Sequence, residues 1–526
     1  MTKRSLSRSL RMTIQMVAFG GLFTACSDWT DHYEDGPATG QGLSVMQLLE
    51  QDSQTAPFAN MVRQAGYADL LGSSQALTVF APTGGLDATA GARTVANHIA
   101  RHVWPSSTPQ TVGVEMLNGK IYEFDADGGF AGTPITLADQ RADNGLVHQL
   151  RSQIPYVNNL YEHIQDRPEL SELYRFIHQF DEVKFDADNS VEIDIDGQGR
   201  PVYDSVFVSY NRLLEDPVYG LGSIAREDSA YNMLLPTDDA WQQAYERIAP
   251  SFRVYDADEA VADSLQDLRT RLAIVEDLVY RSAIAGADSV VSTTGSTIHE
   301  PAALIEGTTR LDASNGTAYL CPTLNYDNRE TWNKPIEVEA EQQNGRTYNN
   351  TLTSVYQRSV TASSLVEGVS GESYIEVVPI STSTNPTVIF DIPNILAGTY
   401  DVYCVFLPAT VEGATEELDS TKVNFTLTYM NTNGRSATKR PSTAEARELV
   451  TSGTGVTRML ALSDVEIPVS NTTDRLWLME PTNDATTLQT TTTLTITTNV
   501  TAREFSSGTY SRSFRLDRII FEPKAQ

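Results

Sequence analysis

Seven histidines, three cysteines and a surplus of carboxylates are the side chains of this 526-residue sequence that could do chemistry. His98 and His102 stand four apart in "RTVANHIARHVWP", which reads as a helix ended by proline, so both would share one face. A zinc-protease helix needs Glu after the first histidine, and Ile99 is there. The sequence contains no G-x-S-x-G elbow and no phosphate-binding P-loop. Gly220 and Gly222 in "YGLGSIA" lack the third glycine of a dinucleotide site. Asp186, Asp188, Asp194 and Asp196 suggest a calcium loop, but a glycine comes one residue after Asp196 and no Glu closes it. "VEIDIDGQGRPVYDSVFV" reads better as a hairpin about a Gly-rich turn. Acidic pairs such as Asp238 and Asp239 are common in this composition, so none is singled out as a glycosidase acid and base. Trp332, Trp477 and Tyr510 are aromatic side chains able to stack on sugar rings, although Trp477 alternates within a strand, where an aromatic is more often core. Cys321 and Cys404 lie in apolar runs as small buried hydrophobes, and three cysteines form neither a disulfide framework nor a zinc pattern.

The elements that must position these residues come from a chain long enough for about three domains. Lys and Arg number 38 against 68 Asp and Glu, a net charge of −30. The first 25 residues carry Lys3, Arg4, Arg8 and Arg11 and no acid, so the remainder stands at −34. Such a surface repels phosphate backbones, and nucleic acid is excluded as a partner.

Residues 1–11 are basic and serine-rich, and the apolar run 12–25 is too short for a membrane span. It ends in "LFTAC", which resembles a bacterial lipobox, with Phe23 an unusual residue at its place. The resemblance implies cleavage before Cys26, lipidation of Cys26 and a membrane anchor. An ordinary signal peptide with an incidental cysteine is the alternative. The acidic "SDWTDHYED" that follows resembles a surface-export signal of some Gram-negative outer-membrane lipoproteins, and "GPATGQG" has the composition of a tether. The expected location is the outer membrane, lipid-anchored and facing the exterior.

"LTVFAPT" at 77–83 stops an apolar strand at proline, and "YNMLLPTDDAW" at 231–241 does so again. Short helices precede each corner, with Val45, Leu48 and Leu49, then Phe58, Met61 and Val62, at helical spacing. "EMLNGKIYEF" reads as two strands about Asn118-Gly119, and "ADNGLVHQL" places a second Asn-Gly before a strand. This order resembles the fasciclin domain, with its "TVFAPTD" corner, its Tyr-His-Val segment and its late "NG-x-VH" strand. Here Gly84 replaces the usual acid and Arg101 precedes His102 in place of tyrosine. The resemblance makes Pro82, Thr83, His102 and His148 structural motif residues of a domain over 43–155, with His102 hydrogen-bonded inside it. A second, longer copy over 156–330 offers Pro236, Thr237 and Tyr280, with an inserted hairpin near 183–208. The corner threonines lie 154 residues apart and the late Asn-Gly pairs 171 apart, so these are two domains with unequal insertions, not a short-period repeat.

From Lys334 the helical period gives way to candidate strands at 336–341, 373–379, 387–392, 399–407, 422–430, 474–480, 493–501 and 514–523. "IEVEAE" and "FRLDRIIFEP" are similar to the paired terminal strands of galactose-binding-like, jelly-roll carbohydrate-binding modules. That resemblance implies a structural calcium held by Glu339, Glu341 and Asp517; the alternative is solvated acids on an outward face. The expected fold is α+β: two fasciclin-like domains, each a β-wedge plus helices, then an all-β jelly-roll-like sandwich over 334–526. Residues 1–25 are then a lipoprotein signal peptide and 26–42 a tether.

The resemblances imply a non-catalytic protein that binds extracellular glycan or protein. By association with similar surface lipoproteins, the partner would be a TonB-dependent nutrient transporter and its lid lipoprotein. A purely structural subunit of an outer-membrane complex, or a glycan-degrading enzyme, are the alternatives.

Overall fold

The computed structural model describes residues 42–107, 111–125, 129–195, 201–415, 419–471 and 492–524, without the side chains of 186–195 and 201–207. The leader, Cys26, the tether up to residue 41, Trp477 and the candidate strand 474–480 therefore lie outside the described residues. The chain divides into two compact units, Met1–Tyr156 and Val157–Gln526. The architecture is mixed α+β, mostly sheet, and no sheet closes into a barrel. Among the described residues no helix is long and apolar enough to cross a membrane.

In the first unit three helices, Val45–Gln51, Ala56–Gln64 and Ala68–Gly72, precede the sheet. Ser44 and Gln47 form a capping box at the first. The strands are β1 (Leu77–Pro82), β2 (Ile99–Arg101), β3 (Val112–Glu115), β4 (Ile121–Asp125), β5 (Gly129–Phe130), β6 (Thr133–Ala142) and β7 (Gly145–Leu150), in the order β2-β1-β7-β6-β5-β4-β3. Only β1 and β7 pair in parallel. Strand alternation gives β1 two cores. Leu77, Val79 and Ala81 face the helices with Phe58 and Val62, while Phe80 faces Phe124, Phe130 and Val114.

The helix expected over 93–105 is a correction. The helical residues are Ala92–Ala96, and Ile99–Arg101 become β2, antiparallel to β1 with Val79 opposite Ile99. Pairing and burial of Ile99 and Ala100 override the helical spacing. His98 and His102 consequently share no helix face. The strand does stop at its proline: Pro82 is the last residue of β1, paired with Leu150.

The second unit opens with helices Leu160–Gln165 and Ser171–His178. The inserted segment is a two-stranded ribbon of β8 (Asp181–Ile195) and β9 (Pro201–Asn211). A four-stranded sheet follows from β10 (Tyr231–Pro236), β11 (Val279–Tyr280), β14 (Thr309–Ala313) and β15 (Gly316–Cys321), in the order β11-β10-β15-β14, with a separate hairpin of β12 (Ser289–Val291) and β13 (Thr297–His299). This reproduces the order β2-β1-β7-β6: an antiparallel edge, a central strand, a parallel partner and an antiparallel fourth strand. The register repeats too, from Leu77 opposite Gly145 to Pro82 opposite Leu150, and from Tyr231 opposite Gly316 to Pro236 opposite Cys321.

The rest of the second unit is a sandwich. One sheet runs β18 (Thr353–Ser359), β19 (Ser373–Pro379), β26 (Phe514–Pro523), β21 (Gly398–Leu407), β24 (Thr457–Ile467), with β16 (Ile336–Glu339) also paired to β26. The other runs β17 (Arg346–Tyr348), β20 (Thr387–Asp391), β25 (Thr493–Thr498), β22 (Val423–Met430), β23 (Ser436–Lys439). Their inner faces share one core including Phe390, Cys404, Phe425 and Phe521. The first and last strands pair, as their sequences suggest. The sandwich is also seamed to the four-stranded part: Ala397 N–H donates to the Ser251 carbonyl (2.8 Å), Ser470 N–H to that of Arg253 (2.7 Å), and Leu396 is buried in the neighbouring core.

Candidate functional site

The corner residues hold structure. Pro82 and Pro236 end their strands, and the next N–H donates across the parallel pair: Thr83 to the Leu150 carbonyl (2.9 Å) and Thr237 to that of Cys321 (3.0 Å). There the copies diverge. Thr237 Oγ1 accepts from Ala240 N–H (3.3 Å) and caps helix Asp238–Ile248, while Asp238 accepts from Ser171 Oγ (2.7 Å) and Glu172 N–H (2.8 Å). Thr83 Oγ1 instead donates to the Leu150 carbonyl (2.9 Å), and no helix follows. Gly84 lies so close to the Arg151 carbonyl oxygen, 2.9 Å from an added Cβ, that an acid there would collide.

His98, His148 and His163 are buried, and His102 is not. Phe80 O lies 2.7 Å from His98 Nδ1, while Nε2 accepts from Ile154 N–H (3.1 Å). That pairing fixes a neutral tautomer, and burial pushes its pKa down to about 4. His148 Nε2 faces the Trp104 carbonyl (2.8 Å), its Nδ1 accepts from Asp139 N–H (3.2 Å), and burial lowers its pKa also. His102 is exposed with φ 72°, and its backbone makes its bonds: N–H to Ala76 O (3.2 Å), and O from Thr78 Oγ1 (2.9 Å). The hydrogen bonding expected of His102 inside the domain is thus made by its backbone. Tyr280 is buried and donates to the Asp277 carbonyl (2.7 Å); the Asp277 carboxylate accepts from Ser292 (2.6 Å) and Thr294 (2.8 Å). These are interior hydrogen bonds with nothing to activate.

At the opening of the sandwich, β16 and the turn after it bring Glu339 and Glu341 beside Asp517 of β26. Asp517 is fully buried, so it is no solvated surface acid. Ser370 ties two members together, its N–H donating to Asp517 Oδ1 (3.0 Å) and its hydroxyl to Glu339 Oε1 (2.6 Å). Glu339 Oε2, Glu341 Oε2 and Asp517 Oδ2 are buried and find no hydrogen-bond partner among the described residues. Burial, with Glu339 and Glu341 nearby, pushes the Asp517 carboxyl up to about 6, against the pull of the Ser370 N–H and of Arg518, whose Nη1 lies 3.7 Å from Oδ2. Orphaned buried carboxylate oxygens are costly, and three of them make a hard-oxygen donor set suited to calcium. As they stand, no three His, Cys, Asp or Glu side chains among the described residues are placed to hold a metal ion.

No family model matches the chain, and no curated protein matches it. Among solved structures, the chain is similar to a FAS1 domain pair of the insect cell adhesion molecule Fasciclin I, at 12% identity over 53% of this chain and 99% of that one, with a TM-score of 0.19. It is similar to the CBM22-1 and GH10 modules of a Clostridium thermocellum endo-1,4-beta-D-xylanase at 12% identity over 34% of this chain, with a TM-score of 0.19. A Paenibacillus xanthan lyase aligns at 15% identity over 41% of this chain, also at 0.19. The chain spans 26% of the length of that xylanase chain and 14% of the lyase's.

Proposed function

We propose that this chain is a non-catalytic, lipid-anchored outer-membrane surface protein, two fasciclin-like domains and a jelly-roll-like sandwich, that captures extracellular glycan or protein. The observation that carries the reading is the repeated sheet, β2-β1-β7-β6 and β11-β10-β15-β14 in one register, followed by a sandwich with paired terminal strands. This is the arrangement that the sequence resemblances to adhesion and carbohydrate-binding modules lead one to expect. The buried histidines His98, His148 and His163 and the corner threonines are spent on backbone hydrogen bonds, which favours a scaffold over a turnover site. Cys26 is the proposed anchor, and Glu339, Glu341 and Asp517 would hold a structural calcium that neutralises their mutual repulsion. Docking on a TonB-dependent transporter and its lid lipoprotein completes the reading, by analogy alone.

The test has three arms. Fatty-acid labelling should mark the wild type and not Cys26→Ala; equal labelling removes the anchor. Protease should shave the protein from intact cells; release only on lysis places it in the periplasm and removes the capture role. The full chain should be retarded in affinity gels by at least one of a panel of plant and microbial polysaccharides; retardation by none defeats the glycan half of the reading.

A further inference from the structure

Strand β18 forms one margin of the sandwich, and its outer edge is bare. It pairs with β19 without a register shift, from Thr353 opposite Pro379 to Ser359 opposite Ser373. The main-chain bonds just beyond each end set the parity. Val360 N–H donates to the Glu372 carbonyl (2.8 Å), and Ile380 N–H to that of Leu352 (3.1 Å). Antiparallel bonding alternates, so Ser354, Tyr356 and Arg358 turn their N–H and C=O toward β19, and Val355, Gln357 and Ser359 turn theirs away. Pro379, which has no N–H to give, stands opposite a residue of the outward set. Among the described residues nothing bonds to the main chain of Val355, Gln357 or Ser359, and the strand is exposed from Tyr356 onward. The other margins of the sandwich are blunted. β17 has three residues, β23 ends at Lys439 and is followed by Arg440 and Pro441, and β24 carries register shifts. β18 has no proline, no lysine and no bulge.

A regular, uncovered edge is a template for one more strand, and the residues of β18 specify which. We infer that a second copy of this chain supplies it, β18 against β18, antiparallel about a two-fold axis at Gln357. In that register Gln357 meets its counterpart and Val355 meets Ser359, so the outward N–H and C=O groups of all three residues are matched. On the other face Tyr356 falls opposite Arg358 of the second copy, and Arg358 opposite the second Tyr356, at the closer, non-hydrogen-bonded spacing. Tyr356 is 47% exposed, and the two side chains already attract within one chain, the Arg358 guanidinium lying 5.1 Å from the Tyr356 ring centroid. A foreign strand would have to bring this alternation of aromatic and cation; a second copy carries it by symmetry. Charge favours the same edge. The chain carries −30, so copies repel over most of their surface, whereas "TSVYQRS" contains no acid and its one cation is paired with Glu376 (2.8 Å). This surface is separate from the glycan-capture reading and does not rest on it.

The full chain is used with Cys26→Ala, so that neither a lipid nor that thiol intervenes. Sedimentation equilibrium should show a reversible monomer–dimer equilibrium. Gln357→Lys sets like charges across the axis on an exposed side chain and should weaken the dimer tenfold or more, leaving the melting temperature of the dilute monomer unchanged. Gln357→Pro removes only an outward N–H and should act in the same way; the lysine variant keeps the test open if the proline variant does not fold. Under mild oxidation Gln357→Cys should crosslink two copies, because the axis brings these residues within disulfide reach. Ser354→Cys lies roughly 20 Å from its counterpart in this register and should not. A chain that stays monomeric up to its solubility limit would overturn the assignment. So would a dimer unaffected by Gln357→Lys, or crosslinking as fast at Ser354→Cys as at Gln357→Cys.

Discussion

Gly145 lies directly opposite Leu77 in the parallel β1–β7 pair, so close that a Cβ on Gly145 would overlap the Leu77 carbonyl oxygen. Gly316 stands in the same relation to Tyr231. Each glycine has φ near +150°, where other residues are strained. The asparagine before each glycine completes the lock. Asn144 Oδ1 accepts from Val45 N–H (2.7 Å), and its amide donates to the carbonyls of Leu71 (3.0 Å) and Ser73 (2.6 Å). Asn315 Oδ1 accepts from Leu160 N–H (2.9 Å), and its amide donates to those of Ile224 (2.8 Å) and Arg226 (2.9 Å). One dipeptide thus fastens the opening helix, the loop before the central strand and the parallel pair, twice in the chain.

Gly145→Ala is expected to destabilise the first unit by more than about 3 kcal/mol, because backbone strain and a main-chain overlap act together. Gly113→Ala meets only the side chain of Ile121 and should cost much less. Urea unfolding of the two variants side by side checks this; similar midpoints would remove the lock.

Asn315→Ala abolishes three hydrogen bonds and should cost the second unit roughly 2–4 kcal/mol, since buried groups left unpaired are each worth about 1–3 kcal/mol. Thr237→Val removes only the cap and should cost about 1 kcal/mol. A Thr237→Val protein with unchanged melting but lost ligand binding would make the corner a site.

Acid should loosen the first unit selectively. His98 titrates at about 4 when folded and near 6.5 when unfolded. Above pH 6.5 it is neutral in both states. Between pH 6.5 and 4 only the unfolded chain takes the proton, so stability falls, by roughly 3 kcal/mol from this group alone. His148, lowered in the same direction, adds to the loss. Hydrogen exchange followed by mass spectrometry should show protection of β1 and β7 dropping from pH 7 to pH 5; constant protection would contradict it.

Calcium should raise the melting temperature of the full chain at pH 7.5, and a chelator should reverse the change. Asp517→Asn should remove the calcium response and, without calcium, melt above the wild type, because it takes an ill-paired charge out of the interior. A calcium shift that survives Asp517→Asn would place the cation elsewhere.

Much of the scaffold was legible from residue pattern. "SYIEVVP" and "FRLDRIIFEP" are strands over the residues read, because β-branched and aromatic residues are concentrated where the strands meet the core. The missed strands are edges or irregular. Arg346–Tyr348 and Ser436–Lys439 lie at the two margins of one sheet and are largely exposed, so no apolar face marks them. Thr457–Ile467 carries register shifts and a left-handed Asp464, which break the period of two. The helix read over 93–105 failed because strand pairing, invisible to local spacing, claimed Ile99–Arg101. His102 drew attention as a motif residue, whereas His98, three residues before the end of β2, is the one turned inward; only the fold reveals that. Buried Arg269 was not legible, since nothing in a charged helical run marks the one charged residue that turns inward.

The hydrogen bonds from Ala397 to Ser251 and from Ser470 to Arg253 bear on how this chain can be taken apart. Composition invites a cut near residue 333, where helical spacing gives way to strands. A fragment starting there would leave two N–H groups without acceptors and bare Leu396, which belongs to its neighbour's interior. Soluble pieces for biophysics should be drawn from residue 157 onward as one block. Any recombination event that transplanted the sandwich alone would have had to rebuild its seam, so within this chain the unit of inheritance is larger than the unit of fold.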